Sequence, residues 1–401
     1  MGMKILLIGK EQDIELVYRC VRDVEMVDKI ICWDDDYGPE ELEPDMLAVY
    51  DAVIVAVESE KQAGYLYELL ACIMGDDEGK LINFYAVYRA MVPDMIVDRV
   101  MKNPLIPKYD GMILGISHAN YGIIPRCLNV PFCNLAVPSQ DIYYNLKTLE
   151  YCLANYRSRI ADLKYLVIDM FDYTYFNYDV SLSKTAVSYY YYYGGYILDA
   201  HNFAGNKNFD YGFEQMRRLL QEKKLAGIDH EKMLLWEQIF DNVHAGTQYR
   251  EFGNPVKLFE RARIVKKKDL DEYRVCTSIV QNTYQDTIKE NIAHFYELLH
   301  LAYQLNPDLK VFVILLPRYA EAEKMAAQAY AGWKKIFYDI IEESGRQYPF
   351  RFIDFKGHEI SQERACYYDI SHLNYYGAVK FTHLLGTYMG LDKEERHGDY
   401  A

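Results

Sequence analysis

Short runs of apolar residues alternate along this chain with stretches whose apolar positions return at helical spacing. In the first hundred residues the runs are KILLIG (Lys4 to Gly9), DKIICWDDD, YDAVIVAVES and KLINFY. Helical patterns over Asp13 to Val24 and over AGYLYELLACIMG separate them. Continuous apolar runs of this length read as strands buried on both faces, and their alternation with helices reads as parallel βαβ units. Residues 1–105 are therefore expected to form a small Rossmann-like α/β domain.

A proline- and glycine-bearing connector, NPLIPKYDG, marks a boundary, and a second series follows over residues 106–401. Its strands are MILGIS, FCNLAV, LKYLVIDMF, KVFVILLP and FRFIDF, and helical patterns cover Asp141 to Tyr156, Thr287 to Leu305 and Ala320 to Ser344. This is again α/β, a parallel sheet covered on both faces. The stretch at about 180–275 is too long for a simple crossover and reads as a helical insertion that roofs or walls the site.

Length and composition agree with this division. A chain of 401 residues, half of them hydrophobic, has material for two cores. Lys and Arg number 44 against 59 Asp and Glu, so neither a nucleic-acid backbone nor an anionic lipid surface is expected as partner. The N-terminus lacks the pattern of a secretory signal and no run approaches the ~20 apolar residues that cross a bilayer, which predicts a cytoplasmic protein without membrane insertion. Eight cysteines, none in C-x-x-C spacing, read as small buried apolar residues. The 39 tyrosines, with a run from Tyr189 to Tyr193, suit wet-edged cores, interfaces and sugar stacking.

Nucleotide chemistry finds little support. After the first strand the chain offers IGKEQDIE, one glycine followed by Glu11, Asp13 and Glu15, which repel a pyrophosphate. Asp34, Asp35 and Asp36 read as solvated loop acids. With no P-loop, HExxH or EF-hand pattern, neither a cofactor nor a catalytic metal is expected. A protein partner is then one use for the N-terminal domain.

Ligands of open α/β sheets bind at the carboxyl ends of the strands, and Ser117 stands at such an end, in MILGISHANYGI. Near the C-terminus, DISHLNYYGAVKF places Asp369 and His372 three apart, just before a helix expected from about Tyr375. A serine hydroxyl needs a base for its proton, and the imidazole needs a carboxylate to fix its tautomer; one loop can present both. His118 is a poorer base, because adjacent side chains on extended backbone point apart. Gly115-Ile116-Ser117-His118-Ala119 comes within one residue of the G-x-S-x-G motif of α/β-hydrolases, but there the acid follows an earlier strand.

LGISHANYGI and DISHLNYYGAVKF resemble the first and last blocks of the SGNH, or GDSL-like, hydrolases, especially the branch related to alginate and teichoic-acid acylation proteins. The resemblance covers roughly residues 106–395. It implies an SGNH-like three-layer domain in which Ser117 is the nucleophile, His372 the base and Asp369 its orienting partner. NLAVPSQD resembles the second block, with Ser139 where the family has its oxyanion glycine. In the third block, matching puts Tyr173 in place of the asparagine that donates a side-chain amide. The family's aspartate in the first block is replaced by Ile116.

Arg318 and Tyr319, after the fourth strand, are further candidates to line a substrate, and Glu290-Asn291 to support the site from the preceding helix. The expected function is a serine esterase or O-acyl transfer enzyme acting on a small acyl ester of a carbohydrate or cell-envelope precursor. The alternative is a non-catalytic glycan- or partner-binding protein with a degenerate site.

Overall fold

The computed structural model describes residues 2–32, 42–57, 60–91, 95–103, 106–183, 230–241, 263–273 and 278–391, with a few positions between 186 and 243. They divide into two compact units. The first holds residues 1–93, 102–105 and 218–257; the second holds 94–101, 106–217 and 258–401. The boundary expected near residue 105 is thus crossed more than once, and residues 218–257 of the expected insertion belong to the first unit.

In the first unit, β1 (Ile5–Gly9), β2 (Val27–Cys32), β3 (Ala52–Ala56) and β4 (Leu81–Asn83) form an all-parallel sheet in the order β2-β1-β3-β4. The side-chain alternation of β1 and β3 explains why both strands are wholly apolar. Ile5, Leu7 and Ile54 pack with Ile14, Val17, Phe84 and Val87 on one face, while Leu6, Ile8, Val53 and Val55 pack with Leu66 and Leu70 on the other. The helices α1 (Glu11–Tyr18), α2 (Glu60–Met74) and α3 (Phe84–Met91) supply those partners. Two elements are shorter than the sequence pattern predicts. The first helix stops at Tyr18, and in KLINFY the strand ends at Asn83, whose side chain accepts the Tyr85 N–H at 2.9 Å and turns the chain into α3. The helix His230–Ile239 adds Trp236 and Ile239 to this core, Phe240 just after it joins them, and Arg22 N–H donates to the Ile239 carbonyl at 2.8 Å.

The second unit carries β5 (Gly111–Leu114), β6 (Phe132–Asn134), β7 (Tyr165–Asp169), β8 (Lys310–Leu315) and β9 (Arg351–Asp354), all parallel in the order β6-β5-β7-β8-β9. This is a doubly wound order in which the chain reverses direction across the sheet at β5, next to the end that bears Ser117. Numbering on past the His230 helix as α6, the long helices α5 (Ile142–Asn155), α7 (Gln285–Leu305) and α8 (Ala320–Gln347) bury Leu149, Phe295, Leu299 and Phe337 against Met112, Leu166 and Ile168. On the other face, α9 (Tyr375–Met389) packs Ala378, Phe381 and Leu385 against Ile113, Val167 and Ile314. At ~25 cal/mol per Å² of apolar area these two layers are the main stabilising term of the unit.

From the tyrosine run, Tyr190 is fully buried and stacks on Tyr144 with ring centroids 4.7 Å apart, whereas Tyr189 is exposed. Residues 191–193 and Asp34 to Asp36 lie outside the described residues. No described helix is long and apolar enough to cross a membrane.

Gly115 follows β5 with φ 148°, and a Cβ there would lie 2.7 Å from Asp169 Cβ. Gly115→Ala combines left-handed strain with overpacking and is expected to destabilise the unit by about 2–5 kcal/mol, measured by urea unfolding.

Candidate active site

The backbone prepares the site at the carboxyl ends of β5 and β6. After Leu114, Gly115 and the extended Ile116 deliver Ser117 as the first residue of α4 (Ser117–Gly122). The N–H groups of a first helical turn have no intrahelical acceptor, so they are free to hold an anion. Here Ala119 N–H is taken by Asp169 Oδ2 at 3.1 Å.

Beside this turn, Leu135 N–H donates to the Ile113 carbonyl at 2.8 Å and Val137 N–H to that of Gly115 at 3.2 Å. This register continues the parallel pairing beyond β6, so Ser139 stands as far past Val137 as Ser117 does past Gly115. Ser139 has φ 66°, in the left-handed region, and its carbonyl accepts the Tyr178 hydroxyl at 2.7 Å. That conformation gives a physical reason for a glycine at this place in the family that the sequence resembles. Relief of about 1–2 kcal/mol of left-handed strain outweighs the ~0.5–1 kcal/mol of extra unfolded-state entropy, so Ser139→Gly is expected to raise stability by about 0.5–1 kcal/mol in urea unfolding.

Asp369 and His372 come from a closed turn before α9. Tyr367 and Leu373 pair across it, Tyr368 N–H donates to the His372 carbonyl at 2.9 Å, and Asn374 caps α9 by accepting Gly377 N–H at 2.9 Å. Within the turn, Asp369 Oδ1 accepts the N–H groups of Ser371 and His372, each at 2.8 Å. Its Oδ2 lies 3.0 Å from His372 Nδ1, and His372 Nε2 lies 3.0 Å from Ser117 Oγ. Burial works to raise the Asp369 pKa. The facing imidazole and the two backbone donors outweigh it and hold the carboxyl below the usual carboxylate range. An ionised Asp369 puts the imidazole proton on Nδ1, which leaves Nε2 as acceptor for the serine proton.

His118 is buried between two rings. It stacks on His372 with centroids 4.2 Å apart and on Phe171, whose φ of 40° is the second positive value among the described non-glycine residues. Burial pushes the His118 pKa well down, and His372, Lys356 and Arg318 push it further, so this ring is neutral. It offers His372 a flat, uncharged neighbour. Burial raises Asp169, at the end of β7, to about 7, although the N–H groups of Phe171 and Ala119 both favour its ionised form. Asp169 was not marked by sequence reading; the only hint of its role was an acid closing an apolar strand.

The structure corrects three expected roles. Tyr173 does not carry a free hydroxyl for an oxyanion: that group donates to Asp354 Oδ2 at 3.1 Å, and the ring packs on Tyr330, Phe337 and Tyr338 of α8. Arg318 is buried rather than ligand-facing. It donates to Asp172 Oδ2 at 2.6 Å and Glu323 Oε2 at 3.1 Å, and Asp172 also accepts the Tyr330 hydroxyl at 2.9 Å. Tyr319 is an interior residue packed on Tyr367. Asn291 has a structural task, donating to the carbonyls of Phe176 and Tyr178. Behind Phe171, Lys356 is buried with its Nζ 4.3 Å from the ring centroid, and burial, with Arg318 adding to it, pushes its pKa down to about 8.

No family model matches this chain, and no curated protein matches it either. Among solved structures, it is similar to one from Streptococcus pneumonia, provisionally described as a platelet activating factor. The two are 9% identical over 82% of this chain and 100% of that one, with a TM-score of 0.34. A likeness at that level carries no argument about fold or activity.

Proposed function

We propose that the second unit is a serine esterase or O-acyl transfer enzyme of SGNH type, with Ser117, His372 and Asp369 as its triad, acting on a small acyl ester of a carbohydrate or cell-envelope precursor. The observation that carries this reading is the unbroken line from Ser117 Oγ through both nitrogens of His372 to Asp369 Oδ2, with 3.0 Å at each polar gap. In this mechanism Ser117 Oγ attacks the ester carbonyl carbon while His372 Nε2 takes the hydroxyl proton. The carbonyl π electrons move onto oxygen, which in this reading the N–H groups of Ser117 and Ser139 hold. Collapse expels the alcohol with the proton from Nε2 and leaves Ser117 acylated. Water or a sugar hydroxyl then attacks with His372 again as base, and transfer differs from hydrolysis only in that second nucleophile.

The engaged Tyr173 hydroxyl favours a second reading, in which the site binds an acylated glycan without turnover because a donor is missing. Rapid mixing with excess p-nitrophenyl acetate separates the two. The enzyme reading predicts a burst of one p-nitrophenol per chain followed by slower turnover. Neither burst nor turnover, together with retention of the protein on an acetylated polysaccharide matrix, would establish the binding reading instead.

A further inference from the structure

We infer that His201, Glu290 and His294 form a metal site that takes a zinc-like divalent cation. Glu290 and His294 are one helical turn apart on α7, which puts both side chains on one face. His201 arrives from far earlier in the chain. Its Nε2 lies 3.6 Å from Glu290 Oε1, His294 Nε2 lies 3.8 Å from the same oxygen, and one ligand atom from each residue falls within 4.8 Å of the others.

Bonds of about 2.0–2.2 Å in a tetrahedral zinc site place neighbouring donor atoms about 3.3–3.5 Å apart. Both Glu–His gaps are within half an ångström of that, so small side-chain adjustments would close the set. Two imidazoles and one carboxylate suit zinc better than calcium or magnesium, which prefer all-oxygen shells. Three protein ligands also leave a fourth position open, and Glu290 is the most exposed of them.

Two features separate this cluster from a chance surface pairing. His294 Nε2 is buried without a hydrogen-bond partner among the described residues, although it faces the carboxylate. Tyr143 holds both imidazoles, lying flat on His201 with centroids 3.6 Å apart and edge-on to His294 at 5.0 Å. Lys147 lies over the Tyr143 ring and pairs with Glu150 at 2.7 Å. Sequence reading considered Glu290 only as support for the serine site. The Glu-x-x-x-His spacing lacks the second helical histidine of HExxH, and the third ligand is invisible until the chain folds.

The test strips the full chain with a chelator and titrates it with zinc chloride against a chromophoric competitor, then repeats the titration with Glu290→Gln, His294→Ala and His201→Ala. The wild type should bind one zinc at this site and melt at a higher temperature with zinc present. Losing even an outer-sphere partner costs ~10–100-fold in affinity, so each ligand variant should bind at least about 100-fold more weakly. Cobalt(II) should give visible ligand-field bands without thiolate charge transfer, which separates this set from the cysteines. Far-UV circular dichroism establishes that the conservative, half-exposed Glu290→Gln variant is folded. A wild type that binds no zinc, or a folded Glu290→Gln that binds it equally well, overturns the inference.

Discussion

Ser117→Ala should lower kcat for p-nitrophenyl acetate by about 10⁶, because removing the nucleophile of a triad disables the whole unit. Oxyanion donors left in place sustain only a weak residual acceleration. The fold should not suffer. The Ser117 hydroxyl faces His372 Nε2 alone among the described residues, and its half-buried place at the start of a six-residue helix needs no side-chain cap. Steady-state kinetics beside a urea melt checks both halves. Loss of rate with unfolding unchanged to within about 1 kcal/mol fits a nucleophile, whereas rate and stability falling together would mark Ser117 as a structural residue.

Asp369→Asn should lower kcat by about 10⁴ at neutral pH through the tautomer of His372. The direction follows from the turn itself. Asp369 Oδ1 accepts two backbone N–H groups, so an amide in its place keeps its oxygen there and turns its NH₂ toward His372 Nδ1. Nδ1 must then accept, the ring proton moves to Nε2, and the serine loses its base. The same substitution has a pH signature in stability. The folded-state pKa of Asp369 is depressed, so its contribution is fully present above the ordinary carboxylate value of about 3.9 and is lost as pH falls through the lower folded value. The melting-temperature gap between wild type and variant should therefore be constant above about pH 5 and narrow below about pH 4. A gap that persists undiminished well below pH 4 would mean that the fold gains nothing from the ionised carboxylate.

The parts legible in the sequence are those set by local pattern. Apolar runs such as ILLIG and KVFVIL read as central parallel strands, and each appears within a few residues of its expected limits. Ser117, Asp369 and His372 were nameable because a strand end and a helix start fix their places, and the fold brings their reactive atoms together. What stayed hidden depends on contacts between distant segments. Nothing in MFDYTYFN tells that Tyr173 bonds to Asp354 of β9, and nothing in LLPRY tells that Arg318 turns inward to Asp172. A buried ion pair and a ligand-binding arginine look alike until the partner acid is placed. Likewise, the helix at His230 gave no sign of belonging with Trp236 and Phe240 in the core of the first unit.

The triad is tested most directly by covalent capture. The wild type is treated with a fluorophosphonate, digested, and mapped by peptide mass spectrometry, beside His372→Ala. The account predicts a single phosphonyl adduct on Ser117 that His372→Ala abolishes. An absent adduct, or one on another serine that persists in His372→Ala, would contradict it.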